Sequence, residues 1–499
     1  MEPTPAQLLR NRAYLTPDAE AYVSGGRRLT FAQAAREAGA LAGHLAANGV
    51  ARGDRVVVLA KNGDFLATSL FAASWIGAIA VVANWRLPLP ELAYVVADSG
   101  ATALLYDEEF AETAAALVGD PSSFSAVVGS DPEEYLPIVT TGVEPLHAPV
   151  GTAADPAVIM YTSGTTGRPK GAVLTGANLF WSAQGMVTTL VWEQAHRFLL
   201  VAPMFHIGGL APLMANVLKG TATVFLRDFD PAAVWRTIAD ERITTMMTVP
   251  LMLKALMHAA SQAQVDPSSL FSVTCGGAMV PASLVEAFTG MFGVPVQVVY
   301  GITEFTGGVT FQAPSMGPGR PSSQGKAVFH AELAVASLES GERLGVGEAG
   351  EVLVRGPQRF AGYWGKPDAT GAAITEDGWY RSGDVGYLDE NGYVHLIDRV
   401  KDVIISGGEN IYPAEVEAVL ATHPAVADVA VVGRPDDTWG EVPAAFVVLK
   451  PGADVSADEL VALCREQLAG YKRPKHVEFI EAVPRNTLGK VLKRELRVA

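Results

Sequence analysis

The sequence predicts an α/β protein: a large N-terminal domain of two helix-covered sheets plus a small β-barrel, followed by a C-terminal α+β domain. Three observations lead to that class. From residue 30 to about 310, helical patterns alternate with short apolar runs, the rhythm of parallel sheets covered by helices on both faces. After about residue 320, short strands are separated by glycines, as in a small antiparallel barrel or sandwich. The last stretch, about 100 residues, returns to helices and strands in a compact unit of ordinary domain size. At 499 residues the chain also exceeds what one hydrophobic core usually serves.

The elements follow in order. Thr30 can cap the alanine-rich helix "FAQAAREAGALAGHLAANG", which Gly49 stops. "RVVVLA" then reads as a buried strand. "FLATSLFAASWIGAIAVVANW", residues 65–85, is uncharged and long enough to span a bilayer, yet it is rich in Ala and Ser and broken by Gly77. A buried helix, a turn at Gly77 and a strand fit its neighbours' rhythm better. "ALLYD", "AVVGS", "AVIMYTSG", "FLLVAPM", "ATVFL", "TMMTVP", "SVTCGGA" and "VQVVYG" continue the strand pattern, with helical stretches such as "PAAVWRTIADER" and "PASLVEAF" between them. "HAELAVAS", "GEVLVRG" and "GYVHLIDR" make the glycine-separated part, where Asn391-Gly392 is a hairpin signal. A boundary falls around "DRVKDVIISGGENIYP". Helix "AEVEAVLATHP", strands "VADVAVVG" and "AAFVVLK", helix "ADELVALCREQLAG" and strand "HVEFIEAV" complete the chain.

Composition narrows the function. The net charge is −16, from 37 basic and 53 acidic side chains, which argues against broad nucleic-acid or anionic-membrane binding. Cys275 and Cys464 stand far apart and offer neither a disulfide framework nor a metal-ligand spacing. They read as buried small hydrophobes in a reducing, cytoplasmic setting. The start, "MEPTPAQLLRNRAYL", lacks the apolar core of a signal peptide.

One segment concentrates chemistry. "YTSGTTGRPKGAVLT", residues 161–175, sets hydroxyls and glycines before a lysine, directly after the strand "AVIM". Successive backbone N–H groups in a glycine-rich turn make an anion nest, and ligands gather at the carboxyl ends of parallel strands. Thr162, Ser163, Thr165 and Thr166 add hydroxyl donors, and Lys170 adds a point charge. The Walker pattern of kinases and ATPases fails here, because the order is Gly164, Gly167, Lys170, Gly171 with Pro169 before the lysine.

That loop resembles the signature of the adenylate-forming (AMP-binding) superfamily of acyl-CoA synthetases, luciferases and peptide-synthetase adenylation domains. "PMFHIGG" (203–209), "CGGAMV" (275–280), "YGITE" (300–304), residues 378–417 and "PRNTLGKVLKREL" (484–496) match further family segments in order, over nearly the whole chain. The resemblance implies a ligase that joins a carboxylic acid to ATP, giving acyl-AMP and pyrophosphate, and then passes the acyl group to a thiol. ATP and CoA are co-substrates and Mg²⁺ the cofactor. The phosphates would lie on Thr162, Ser163, Gly164, Thr165, Thr166, Gly167 and Lys170. Thr303 and Glu304 would support Mg²⁺, which prefers oxygen ligands and substrate phosphates. Tyr300 would stack on adenine and Gly301 follow it, while Gly276, Gly277 and Ala278 line the other side of the base. Asp384 would accept both ribose hydroxyls, and Arg399 would contact the ribose and phosphate side.

Lys490 matches the catalytic lysine, whose cation lowers repulsion between carboxylate and α-phosphate. The implied division is a large adenylation domain (1–397), a hinge (398–402, with Lys401 as hinge residue) and a small mobile domain (403–499). The small domain would withdraw Lys490 after adenylation. Gly407 and Gly408 would then leave room for a pantetheine arm in the CoA channel.

His206 matches a histidine beside the acyl carboxylate in many relatives. Gly301 stands where acetate- and propionate-using relatives carry a tryptophan; with Gly307 and Gly308 it suggests an open acyl pocket. Between Phe292 and Thr310 there is no Arg or Lys, which disfavours a second carboxylate. The expected acid is a medium- or long-chain fatty or other apolar monocarboxylate, with an aryl acid as the alternative. Val298 stands where relatives often carry Asn or Gln, leaving the adenine amino group to backbone carbonyls. The chain ends nine residues after Lys490 with no carrier domain, so free CoA is the natural acceptor. Residues 464–499 hold nine Lys or Arg against four Glu, an excess that suits CoA phosphates as well as a solvated face. The alternatives are a stand-alone enzyme loading a separate carrier protein and a catalytically silent acyl- or nucleotide-binding sensor; a luciferase-like oxygenase is more remote.

Overall fold

A computed structural model describes residues 2–119, 124–142, 146–162, 168–313, 316, 323–485 and 491–497. The chain divides into two compact units, Met1–Leu333 with Val354–Tyr380, and Ala334–Leu353 with Arg381–Ala499.

The first unit holds both expected sheets. One has nine strands, in the order Lys326–Ala327, Gly307–Gln312, Val296–Ile302, Ser272–Gly276, Thr245–Thr248, Arg197–Leu200, Ala222–Phe225, Glu20–Ser24, Arg27–Thr30. Its middle is parallel and its margins antiparallel. The other has seven, in the order Gly362–Tyr363, Lys170–Thr175, Pro156–Thr162, Ile79–Val82, Arg55–Leu59, Ala103–Tyr106, Ala126–Gly129.

The helices form where their sequences dictate. Thr30 caps Phe31–Ala47 by a reciprocal box, its Oγ1 accepting from the Gln33 N–H while its own N–H donates to Gln33 Oε1 at 2.8 Å. Asp64–Trp75 is buried on every face, as an evenly apolar helix must be, and Gly77 turns the chain into the strand Ile79–Val82. No helix among the described residues is long and apolar enough to cross a membrane. Cys275 and Cys464 are free and buried, with thiols pushed up by desolvation to about 12 and about 11, as inert core residues should be.

In the second unit the expected barrel takes the form of a four-stranded sheet, ordered Glu332–Ala336, Gly350–Arg355, Tyr380–Leu388, Val394–Arg399. The Asn391-Gly392 turn joins its last two strands, with Gly392 at φ 77°. The α+β part follows, built on a long hairpin in which Gly440–Leu449 is the central strand of the sheet and Val426–Asp436 lies at its edge. Helices Pro413–Leu420 and Ala457–Gln467 bury Val416, Leu420, Leu460 and Cys464 in the core of that part.

Candidate functional site

Ser163, Gly164, Thr165, Thr166, Gly167 and Lys490 lie outside the described residues. The residues flanking 163–167 are described. Thr162 ends one strand and Lys170 opens its antiparallel neighbour, with the two residues paired in register and the Thr162 hydroxyl donating to the Lys170 carbonyl at 3.5 Å.

Both flanks are tied to Asp98, on helix Leu89–Ser99. Its Oδ2 accepts the Tyr161 hydroxyl at 2.8 Å, and its Oδ1 accepts the Tyr94 hydroxyl at 3.0 Å and Lys366 Nζ at 3.0 Å. Tyr94 is also placed to donate to the Pro169 carbonyl, at 3.2 Å, and Arg168 lies over its ring at 5.2 Å. Burial works to raise the Asp98 pKa, but the donors Tyr161, Lys366 and Tyr94 outweigh it and hold the carboxyl below its ordinary value. Asp98→Ala leaves these three donors without their shared acceptor. A stability loss of about 2 kcal/mol is expected, read by urea unfolding; an unchanged midpoint would contradict the anchor.

Glu304 sits in the single-turn helix Thr303–Phe305 after strand Val296–Ile302, and is 9% exposed. Its Oε1 accepts the Tyr363 hydroxyl at 2.7 Å. Tyr363 and Tyr380 both pack edge-on against Phe360, and both phenols are raised far above their ordinary pKa, by burial first and then by Glu304. Lys170 Nζ lies 5.1 Å from the centre of the Tyr363 ring. Thr303 accepts the Thr306 N–H on its carbonyl at 2.9 Å. Among the described residues no three His, Cys, Asp or Glu gather as a metal cluster. One carboxylate with a neighbouring hydroxyl fits Mg²⁺, which keeps several waters and takes much of its shell from substrate phosphates.

Tyr300 is buried at the end of the same strand. Gly276 pairs with Val299 on the adjacent strand. A Cβ at Gly276 would stand 2.4 Å from the Val299 carbonyl oxygen, so the strands themselves require glycine there. Gly277, at φ 78°, and Ala278 are exposed beyond it.

The open pocket expected from three glycines is not found on their Cβ sides. A Cβ at Gly301 would meet the Gly307 carbonyl oxygen at 2.9 Å, one at Gly307 would meet Ala211 Cβ at 3.2 Å, and one at Gly308 would meet Phe311 Cε2 at 2.6 Å. Gly307 also takes φ 113°, and the register shifts between Tyr300 and Gly301. Here glycine answers to close backbone packing, a demand invisible in a linear reading.

His206 precedes helix Ile207–Lys219, and its Nε2 is buried without a partner among the described residues. Phe205 packs on its ring at 4.7 Å, Trp85 meets Phe205 edge-on at 6.1 Å, and the Arg86 guanidinium covers the Trp85 and Phe205 rings at 4.9 and 5.7 Å. Burial, aided by Arg86, pushes His206 down to about 4, so the imidazole is neutral at pH 7. The sign follows from linkage. Between about pH 6.5 and 4 the unfolded histidine is protonated and the folded one is not. The stability tied to His206 is therefore complete above about 6.5 and is lost as pH falls, by at most about 3 kcal/mol. The measurement is the unfolding midpoint from pH 7 to 4.5 in wild type and His206→Asn. Wild type should lose more stability over this range; parallel curves would contradict the assignment.

In the second unit, Asp384 and Arg399 pair in register on neighbouring strands, with Arg399 Nε 2.8 Å from Asp384 Oδ1. Asp384 is buried, and its N–H donates to Ser382 Oγ at 3.0 Å. Lys401 lies in the short turn Val400–Asp402; its pKa is lowered by burial, with the cations Arg399, Arg497 and Arg494 acting against the partial rescue by Asp402. Gly407 and Gly408, at φ 60° and 87°, form the two-residue turn between strands Ile404–Ser406 and Glu409–Ile411. Positive φ at both positions is what such a hairpin demands, apart from any ligand. A Cβ at Gly407 would meet the Trp439 ring at 2.8 Å, whereas one at Gly408 would meet nothing within 4 Å.

Tyr363, Tyr380, Asp98 and Tyr94 were not singled out in the sequence. Tyr380 falls inside the family-like segment 378–417, whereas Tyr363 has only nearby glycines as a local signal.

The family model of AMP-binding enzymes matches residues 9–364, and that of the AMP-binding enzyme C-terminal domain matches residues 415–490. A feruloyl-CoA synthase from an Amycolatopsis species is 42% identical over 487 residues, covering 97% of this chain and 97% of its own. A 2-succinylbenzoate–CoA ligase from Geobacillus kaustophilus is 39% identical over 490 residues, covering 98% and 96%. The solved structure of the o-succinylbenzoate CoA synthetase of Bacillus subtilis, in complex with ATP and magnesium ion, is similar with a TM-score of 0.87 at 33% identity, over 99% of this chain and 100% of that one.

Proposed function

Since the chain belongs to the AMP-binding enzyme family and is an AMP-forming acid–CoA ligase, we propose that its acid is an apolar monocarboxylate carrying an aryl ring. The observation that carries this is the aromatic wall at His206, where Phe205, Trp85 and the neutral imidazole stand together. Aromatic faces and edges favour a flat aromatic guest. The two curated relatives are named for feruloyl-CoA and 2-succinylbenzoate; both acids carry an aryl ring, and since 2-succinylbenzoate is a dicarboxylate the names support the ring and not the single charge. The absence of Arg and Lys between Phe292 and Thr310 favours a single carboxylate.

The reaction has two halves. The acid first attacks ATP, giving acyl-AMP and pyrophosphate; CoA then takes the acyl group and releases AMP. The first half sets anion against anion, so catalysis is chiefly positioning and charge neutralisation. The residues suited to each task are these. Thr162 and Lys170, with Ser163, Gly164, Thr165, Thr166 and Gly167, take the phosphates. Tyr300, with Gly276–Ala278, takes the adenine. Asp384 and Arg399 take the ribose. A neutral His206 donates a hydrogen bond to the acyl carboxylate without trapping it as an ion pair. Glu304 and Thr303 would hold Mg²⁺, whose chemistry is to neutralise phosphate charge. Lys490 brings its ammonium between the reacting oxygens. Lys401 is the hinge, and Gly407 and Gly408 border the thiol's approach.

The test is a panel of acids scored by pyrophosphate release with CoA present. Hydroxycinnamic and benzoic acids should exceed straight-chain fatty acids by about tenfold or more in kcat/KM, the size of discrimination a well-shaped apolar pocket gives. A preference for fatty acids of eight or more carbons would refute the aryl assignment.

A further inference from the structure

We propose that Tyr363 is a positioning residue that fixes the Glu304 carboxylate and the Lys170 ammonium relative to one another, with Tyr380 behind it. The inference rests on the reading of Glu304 as the magnesium carboxylate and Lys170 as a phosphate cation. The two side chains come from different sheets. Lys170 opens a strand of the seven-stranded sheet, whereas Glu304 follows a strand of the nine-stranded one. Tyr363 belongs to the two-residue edge strand that pairs with the Lys170 strand, opposite Ala172. From there its hydroxyl donates to Glu304 Oε1 at 2.7 Å, and its ring face lies 5.1 Å from Lys170 Nζ.

The segment around Tyr363 grips the Glu304 turn at the backbone as well. The Phe360 N–H donates to the Glu304 carbonyl at 2.8 Å, and the Thr306 hydroxyl donates to the Gln358 carbonyl at 2.7 Å. Asn178 Nδ2 steadies the same segment through the carbonyls of Pro357 at 3.0 Å and Arg359 at 2.8 Å. Phe360 holds the Tyr363 ring edge-on at 4.9 Å and the Tyr380 ring edge-on at 5.6 Å. Thr306 sits at φ 53°, an unusual conformation for a β-branched residue, so this turn depends on its surroundings to hold its shape.

The physical consequence is pre-organisation. A carboxylate with one oxygen already engaged presents the other in a fixed direction, and a cation bound there costs less side-chain ordering. The ring face gives the lysine a resting place while leaving its N–H donors to phosphate oxygens. Replacing the hydroxyl alone therefore weakens the carboxylate's part, and replacing the ring weakens both.

Tyr363→Phe tests the first part. In pyrophosphate exchange, the Mg²⁺ concentration giving half-maximal rate should rise about tenfold, the size of one lost hydrogen bond to a charged group. The KM for ATP at saturating Mg²⁺ should stay within about twofold. A second readout needs no turnover: the rise in unfolding temperature given by a non-hydrolysable ATP analogue, with Mg²⁺ and with EDTA. In Tyr363→Phe the Mg²⁺-dependent part of that rise should shrink and the EDTA part should persist. Tyr363→Leu should lose the EDTA part too. Tyr380→Phe removes only the outer hydroxyl and should shift the Mg²⁺ response in the same direction by less, which keeps the test open if a Tyr363 variant folds poorly. A Mg²⁺ response of Tyr363→Phe and Tyr380→Phe within twofold of wild type would overturn the proposal. Glu304→Gln separates the two levels. If it too leaves the Mg²⁺ response unchanged, the reading of Glu304 fails and this proposal with it; if it alone changes the response, only the role of Tyr363 fails.

Discussion

Lys490→Ala is expected to stop acyl-adenylate formation and to spare thioester formation from supplied acyl-adenylate. The reason is electrostatic. In the first half-reaction a carboxylate must approach the α-phosphate, and like charges a few ångströms apart in a water-poor site repel strongly. A compact ammonium between them is worth most at the moment their oxygens meet. In the second half-reaction the attacking group is a thiol on a neutral-carbonyl mixed anhydride, so that cation has no comparable task. Acid-dependent pyrophosphate exchange should fall by at least about a hundredfold, as for loss of one preorganised charge-stabilising donor. Conversion of acyl-AMP and CoA to acyl-CoA should stay within a few-fold of wild type. Equal loss in both halves would show that the lysine serves folding, or serves both steps.

Asp384→Asn has the next largest expected effect. The carboxylate is buried and faces Arg399 at 2.8 Å, and the backbone N–H of Asp384 donates to Ser382 Oγ. Ser382 Oγ is itself fixed by donating to the Val352 carbonyl at 2.6 Å. An amide keeps the shape but gives up one acceptor and the charge. ATP should then bind about ten- to a hundredfold more weakly, because two charge-assisted bonds to the ribose become at best one neutral bond. The stability cost should be smaller, about 1 kcal/mol, since the Arg399 side chain is 38% exposed and water replaces part of the lost pair. The measurement is the KM for ATP beside the unfolding midpoint. A fall in stability with unchanged KM would mean that Asp384 serves only the arginine.

How much of this was legible in the sequence depended on distance along the chain. The two helix-covered sheets were readable because each strand and helix carries its own periodicity, and Thr30 and Gly77 mark their boundaries locally. The residues from Thr162 to Lys170, "YGITE" and the Asp384 segment were readable as contiguous motifs. Tyr363 was not, because its partner Glu304 lies 59 positions away and nothing in "GYW" announces a carboxylate. Asp98 was hidden for the same reason; Tyr161 is 63 positions from it and Lys366 is 268.

The glycines misled in the opposite sense. Gly301, Gly307 and Gly308 suggested empty space, whereas their missing side chains are answered by a carbonyl, an alanine and a phenylalanine already in place. Sequence reports which side chain is absent; only the fold reports what fills the gap. The cluster of Trp85, Phe205 and His206 joins two segments about 120 residues apart; "PMFHIGG" marked the histidine, but nothing around Trp85 announced its partner.

The most direct measurement of the central claim is exchange of labelled pyrophosphate into ATP, with an aryl acid and without CoA. A chain that activates acids as adenylates must show exchange that depends on the acid and on Mg²⁺, with AMP appearing only once CoA is added. Exchange that ignores the acid, or turnover that yields ADP and phosphate in place of AMP and pyrophosphate, would contradict the account.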